Sequence, residues 1–290
     1  MRKDRREFSR VFREREAGHP MSGELISKIE HSRIYDRTMR LPIVLYSLYA
    51  LIHDVVGFFG QVAQEPLEWA HADTGVIIAT LARVSQWMFL ALMTALPLFR
   101  HPPIAKSTAL LPRLAALVTV CIPPLCVLLD RAPPNLAFNL LAVAAGISAS
   151  ILGAWTLSFL GRSFSVMPEA RRLVTSGPYS VVRHPLYLFE LLGVIGILLQ
   201  VRSLAGVALL ASIVALQIAR ARWEEAVLDR AIPEFAAYRR QVPFLVPRNA
   251  RSFFALLRED PTARRRSAVI MSSVFGLLAL VVIALPRLVG

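Results

Sequence analysis

Two segments of the 290-residue chain carry side chains that can do chemistry if they are brought together. One is Leu173-Val-Thr-Ser-Gly-Pro-Tyr179 followed by Arg183-His-Pro-Leu-Tyr187. Thr175-Ser176-Gly177-Pro178 is turn punctuation. Pro185 suits the first turn of a helix, where its missing N–H costs nothing. His184 then caps that helix, Tyr187 lies one turn in, and free backbone N–H groups at the helix start can hold an anionic group such as a carboxylate. The other segment is Arg220-Ala-Arg-Trp-Glu-Glu225. Arg220 and Glu224 are spaced i,i+4, so a helix presents both on one face.

The plainer readings stand beside these. Arg183, His184, Tyr179 and Tyr187 taken singly are what a membrane–water interface belt contains. An exposed Arg–Glu pair is worth only a few tenths of a kcal/mol. His53 and Asp54 interrupt an apolar run and read as a neutral polar pair or a helix-packing contact, although ionisable groups at membrane depth are functional candidates. No Gly-rich phosphate loop, zinc-spaced Cys/His set or Gly-x-Ser-x-Gly elbow is present, and no metal site is expected. Cys121 and Cys126 are too few for a disulfide framework. Asp and Glu are not strung through several apolar runs as a proton relay needs.

The elements that must position these residues follow from composition. The chain is 55% hydrophobic and only 18% charged, with mean hydropathy +0.52, net charge +13 and pI about 10.9. A soluble domain is about 45–50% apolar and about 25% charged. A disordered chain is excluded, and a soluble nucleic-acid binder is disfavoured; basic loops on an apolar chain more often face anionic lipid. Apolar runs at Leu41–Gly60, Thr74–Phe99, Leu114–Leu129, Leu136–Leu160, Leu186–Ala219 and Ser267–Val289 approach or exceed the roughly 20 residues of a membrane crossing. Leu186–Ala219 is too long for one crossing, and Gln200-Val201-Arg202-Ser203 at its middle predicts a helical hairpin.

These runs predict an all-α polytopic transmembrane bundle of about seven crossings, because only helices or closed barrels satisfy backbone groups in lipid. Basic segments 1–40, 100–113, 161–183 and 220–266 alternate with loops almost free of Lys and Arg. That pattern puts the basic side, the N-terminus and both chemical segments in the cytoplasm. The charged start with no cleavage site does not read as a signal peptide. The expected organisation is a basic arm (1–40), accessory helices (41–135), a core (136–250), and a basic linker with a final helix (251–290). Phe235, Tyr238 and Val242-Pro-Phe-Leu-Val-Pro247 form an amphipathic tail able to close over the site as a lid or merely to anchor at the interface.

Taken together, Leu173–Tyr179, Arg183-His-Pro-Leu-Tyr187, Glu224-Glu225, Leu228, Tyr238 and Val242-Pro243…Pro247 resemble the isoprenylcysteine carboxyl methyltransferase family, within the membrane methyltransferases that include phospholipid methyltransferases. The resemblance covers residues 145–247. It implies a helical membrane core with a cytosol-facing S-adenosyl-L-methionine pocket roofed by the C-terminal tail. It also implies that Arg171, Arg172, Leu173, Val174, Tyr179, His184, Pro185, Leu186 and Tyr187 line the cofactor site. Glu224 matches the family's cofactor-binding glutamate and Arg220 its substrate-binding arginine. Phe189 departs from the family pattern, which often has Gly two residues after the tyrosine.

A carboxylate acceptor, with a reference pKa near 4, is already ionised at neutral pH and needs orientation rather than a base. Arg220 suits that task, and carboxyl O-methylation of an amphiphilic acceptor entering from lipid is the favoured expectation. A phospholipid amine or small thiol is the enzymatic alternative, and a non-catalytic membrane scaffold the other. The expected partners are a lipid-like substrate and the bilayer, with no nucleic acid, in a bacterial inner membrane. The sequence leaves the oligomeric state open.

Overall fold

In the computed structural model, residues 38, 40–64, 74–101, 103–107, 109–125, 132, 133, 135–165, 167, 169–249 and 251–289 are described. The arm 1–40 lies almost wholly outside them, as does Cys126. Residues 43–290 form one compact unit. Its helices are α1 (Leu41–Gln64), α2 (Thr74–Leu98), α3 (Leu110–Leu125), α4 (Leu136–Leu160), α5 (Pro185–Val201), α6 (Leu204–Ala231), α7 (Phe235–Gln241), α8 (Ser252–Glu259) and α9 (Pro261–Val289). Two-residue strands β1 (Ala105–Lys106) and β2 (Glu169–Ala170) pair antiparallel, Ala105 opposite Ala170.

Among the described residues, five helices are long and apolar enough to cross a membrane: α1, α2, α4, α6 and α9. Only 17–33% of each spanning window is buried within the protein, which leaves apolar faces for lipid. The protein is an integral membrane protein. Of the seven crossings expected, five are helices of that length among the described residues; the helices at the other two places, α5 with 17 residues and α3 with 16, fall short of it. The run expected to end at Leu129 continues past α3 into residues outside the described set.

Local chemistry sets the helix ends. Asn135 caps α4 by accepting from Phe138 N at 3.2 Å. The α5–α6 hairpin turns on Arg202, whose φ of 45° lies in the left-handed region, and on Ser203, whose hydroxyl accepts from Gly206 N at 3.1 Å. Arg202 is held there by a hydrogen bond to the Pro133 carbonyl and by lying 4.7 Å over the Phe138 ring. α4 and α5 approach closely at Gly196, where an added Cβ would sit 3.0 Å from the Ala142 carbonyl oxygen.

Among the described residues the core falls into three clusters. Phe58, Val62, Val84, Trp87, Val274 and Val281 join α1, α2 and α9. Ala154, Trp155, Phe159, Tyr179, Ala263 and Ile270 tie α9 to α4 and to the loop before α5, and Trp155 Nε1 donates to the Ala263 carbonyl at 3.2 Å. Leu191, Val194 and Ile213 lock the hairpin. α6 runs unbroken through Arg220 to Ala231, although its polar end reads in sequence as the start of a tail. That continuity puts Arg220 and Glu224 on a rigid helix.

Candidate functional site

The loop between α4 and α5 is folded tightly before it reaches the site. Gly177, at φ +62°, starts a 3₁₀ turn over Gly177–Ser180, and a Cβ there would meet the Phe159 ring at 2.4 Å. Only glycine satisfies both the backbone angle and the contact. The turn buries Tyr179, whose carbonyl accepts from the Tyr238 hydroxyl at 2.6 Å. Burial, first among several causes, pushes both phenols above their ordinary range. They are therefore neutral at physiological pH.

Arg183 ties this loop to the tail. Its backbone N–H donates to the Pro243 carbonyl at 2.9 Å, and its guanidinium donates to the carbonyls of Arg239 (2.9 Å) and Val242 (2.5 Å). The Phe244 ring lies edge-on to His184, 5.1 Å between centroids. The segment 235–247 is thus packed against the start of α5.

Glu224 and Glu225 take different directions from α6, as a rotation of about 100° per residue requires. Glu225 accepts from Arg183 Nε at 2.6 Å and pairs with His184 Nε2 at 3.1 Å. Glu224 accepts from the Tyr187 hydroxyl at 2.9 Å. The His184 and Tyr187 rings are stacked, 5.4 Å apart and 4° from parallel. One turn earlier on α6, the Arg220 guanidinium lies 4.8 Å over the Tyr187 ring and donates to Gln217 Oε1 at 3.2 Å. Gln217 in turn donates to Glu190 Oε2 at 2.7 Å. Tyr187 is the centre to which both helices of the hairpin contribute.

Tyr187, Glu190, Gln217, Arg220 and Glu224 line a cavity of about 320 Å³ among helices α1 to α6. Its polar end holds Tyr179, His184, Tyr187, Arg220 and Glu224, with Glu190 and Gln217 beyond them; Phe89, Leu90, Met93, Leu186, Phe189 and Val194 supply apolar walls. A polar end on an apolar chamber is the usual form of a small-molecule site. Among the described residues, no three His, Cys, Asp or Glu side chains gather as a metal-ligand set.

Of the residues expected at the site, Tyr179, His184, Leu186, Tyr187, Arg220 and Glu224 meet in this cavity, and Pro185 is buried at the start of α5 beside it. The other four lie elsewhere. Arg171 is buried against Glu169 at 2.5 Å, in a cluster where Glu169 also accepts from Ser165 at 2.8 Å. Arg172, Leu173 and Val174 line a separate cleft. His184 does not present its Nε2 to the cavity, because Glu225 holds it. Asp54 accepts from Trp87 Nε1 at 2.6 Å, a contact between α1 and α2.

Glu190 and Gln217 escape the reading of the sequence. A single Glu inside an apolar helix was the available signal, since such groups face protein or a polar cavity rather than lipid. Glu225 finds its partners because the end of α6 lies beside the loop that leads into α5.

Residues 135–233 match the phospholipid methyltransferase family, part of the isoprenylcysteine carboxyl methyltransferase-like group of membrane methyltransferases. The match covers α4 through the end of α6, the helices that carry Tyr187, Glu190, Gln217, Arg220 and Glu224. Two curated relatives are described as metal-resistance proteins. The cobalt-zinc-cadmium resistance protein CzcN of Cupriavidus metallidurans is 51% identical over 77 residues, 26% of this chain and 36% of that protein. The nickel-cobalt-cadmium resistance protein NccN of Alcaligenes xylosoxydans xylosoxydans is 36% identical over 124 residues, 41% of this chain and 55% of that protein. The chain thus spans about a third and about half of their lengths. No solved structure matches it.

Proposed function

We propose that the protein is an S-adenosyl-L-methionine-dependent membrane methyltransferase that O-methylates a carboxylate of an amphiphilic acceptor. The observation that carries this reading is the placement of Glu224 and Arg220, one helical turn apart, on either side of Tyr187 in one cavity with apolar walls. The family match over the same helices supports a methyltransferase.

The residues present fit the cofactor. An amino-acid moiety needs an anion for its ammonium, and Glu224, oriented by the Tyr187 hydroxyl, is that anion. Its carboxylate needs donors, and the N–H groups at the start of α5 suit it better than His184, whose ring is held by Glu225. Tyr179, Leu186 and Tyr187 complete the wall. When bound, the cofactor supplies an electrophilic methyl group on a sulfonium.

Arg220 is the acceptor's partner in this scheme. Gln217, tethered to Glu190, fixes the guanidinium over Tyr187, and a carboxylate held there is oriented without loss of a proton. Apolar walls exclude water from the reacting end and admit the acceptor's hydrocarbon portion. Conversion to a neutral ester removes the charge that Arg220 grips, which favours release to the lipid. The proposed orientation keeps the site on the cytoplasmic side, where the basic loops lie.

One observation favours a second reading. Glu190 places a carboxylate in the same cavity, where a protonated amine headgroup would be better met than an anion. Incubation of the purified protein with radiolabelled S-adenosyl-L-methionine and lipid extract of its native membrane separates the two. A labelled lipid that loses its label in mild base is an ester and supports carboxyl methylation; a base-stable product overturns it for the amine. No heat on titration with S-adenosylhomocysteine at high micromolar concentration removes both.

A further inference from the structure

The cavity at Tyr187 has a second polar feature, well away from Arg220. Gln86 stands at the middle of α2, twelve residues from both Thr74 and Leu98, and it lines the cavity together with Ser150 of α4. The Ser150 hydroxyl donates to Gln86 Oε1 at 3.1 Å. That bond leaves the amide nitrogen, which carries two protons to donate, without a partner among the described residues. Gln86 is exposed although it lies in the middle of an apolar span. Polar side chains at such depth face protein or a cavity rather than hydrocarbon.

Other polar groups of the same wall are saturated. Ser47 donates to the Ile43 carbonyl at 2.7 Å and Thr119 to the Ala115 carbonyl at 2.6 Å, so both hydroxyl protons return to their own helices. Gln217 uses both ends of its amide, donating to Glu190 and accepting from Arg220. Gln86 keeps a donor in reserve.

Helix geometry gives the spacing of the two polar features. A Cβ on Gly193 of α5 would lie 3.4 Å from the Ala149 Cβ, so Ser150 stands close to the level of Gly193. Gly193 is six residues beyond Tyr187, about 9 Å along α5. The wall between the two levels is apolar. Phe89, Leu90 and Met93 follow Gln86 along α2, and the Phe89 ring covers Gly153, where a Cβ would meet it at 2.8 Å. On the other side of Gln86 the lining continues through Gly146 to Ile197, which is exposed. A ligand held at Arg220 by its charged end therefore passes over an apolar wall, meets one amide, and continues over an apolar wall.

We propose that Gln86 is a specificity-determining residue whose amide nitrogen donates to a hydroxyl or carbonyl oxygen about 9 Å along the acceptor's chain from the group held by Arg220, which rests on the proposed role of this cavity as the acceptor's chamber. Ser150 is a positioning residue, since its bond to the amide oxygen leaves the nitrogen for the cavity. A plain hydrocarbon chain displaces water from the amide and leaves its donor unmet, a loss in an apolar chamber. The acceptor class narrows accordingly, from any amphiphilic carboxylate to one with an oxygenated chain.

The test uses the full chain purified in mild detergent, with fatty-acid binding read by calorimetry in the absence of a methyl donor. At least one of 8-hydroxyhexadecanoic acid and 8-oxohexadecanoic acid should bind about fivefold more tightly than hexadecanoic acid, the scale of one neutral hydrogen bond. The 3-hydroxy isomer, with its oxygen close to the carboxylate, should show no gain. Gln86→Leu should reduce the preference to less than twofold and leave hexadecanoic acid affinity within twofold of wild type. Ser150→Ala should lower the preference about twofold. A bond that only joins α2 to α4 would shift the unfolding temperature of both variants and leave the preference unchanged, and that result overturns the assignment. So does equal binding of all four acids by the wild type. No binding of any of them overturns both the acceptor chamber and the role of Gln86. Preference for the 8-substituted acids without transfer of label from S-adenosyl-L-methionine overturns the proposed methyl transfer and upholds the role of Gln86.

Discussion

Glu224 and Glu225 are consecutive residues on one helix, and they meet different surroundings. Glu225 is enclosed by Arg183 and His184, and through Arg183 it is joined to the carbonyls of Arg239 and Val242. Among the described residues Glu224 accepts from the Tyr187 hydroxyl alone, and it lines a cavity. The first carboxylate is saturated by the fold and holds loop, hairpin and tail together. The second retains acceptor capacity for something that is not protein. Hydrogen-bond saturation, more than burial or sequence position, separates a structural acid from a binding one.

Arg183→Ala tests the structural side and should have the largest effect. It leaves a carboxylate whose side chain is only 12% exposed without its main partner and releases two tail carbonyls. Removing one member of such a buried pair costs about 3–5 kcal/mol. The expected result is a marked fall in the thermal unfolding temperature in detergent, with faster proteolysis after residue 232. An unfolding temperature within a degree of the wild type would show that the tail is held by other contacts.

Arg220→Ala and Glu224→Gln divide the cavity side between them. Loss of Arg220 should lower turnover about 10²–10³-fold, the usual scale for removing one preorganised electrostatic group. Its effect on S-adenosylhomocysteine affinity should stay within threefold. Glu224→Gln keeps an acceptor for Tyr187 but removes the charge, and should weaken S-adenosylhomocysteine about 10–100-fold by calorimetry, with stability changed by less than about 1.5 kcal/mol. Equal loss of cofactor affinity in both variants would contradict the division of labour between them.

Much of this arrangement could be read from residue types. The apolar runs mark the helices because the bilayer imposes length and hydrophobicity. The i,i+4 spacing of Arg220 and Glu224 marks their shared face because α6 is regular. What could not be read depends on non-local pairing. Arg171 belongs to the same motif as Val174, yet it pairs with Glu169, two residues away, in a segment that the distant strand β1 holds in place. Glu190 looked like one polar residue in an apolar run, and its meaning emerged only when the hairpin brought Gln217 and Arg220 beside it. The same holds for α9, whose charged first turns conceal that the helix begins at Pro261 and that Ala263 packs on Trp155.

Asp54 supplies the control for the comparison, and the smallest expected effect. Like Glu224 it is a carboxylate that accepts from an aromatic side chain, here Trp87 Nε1 at 2.6 Å. In sequence Asp54 reads as part of a polar pair or packing contact, whereas Glu224 is the residue the resemblance gives to the cofactor. The difference is that Asp54 lies among the residues joining α1 to α2 and does not line the cavity. Asp54→Asn keeps an oxygen for the indole N–H and exchanges a charge-assisted bond for a neutral one, a change worth about 1 kcal/mol or less. The expected outcome is a small shift in unfolding temperature with S-adenosylhomocysteine affinity and turnover unchanged. A loss of cofactor affinity approaching that of Glu224→Gln would mean that access to the cavity is not what separates the two acids.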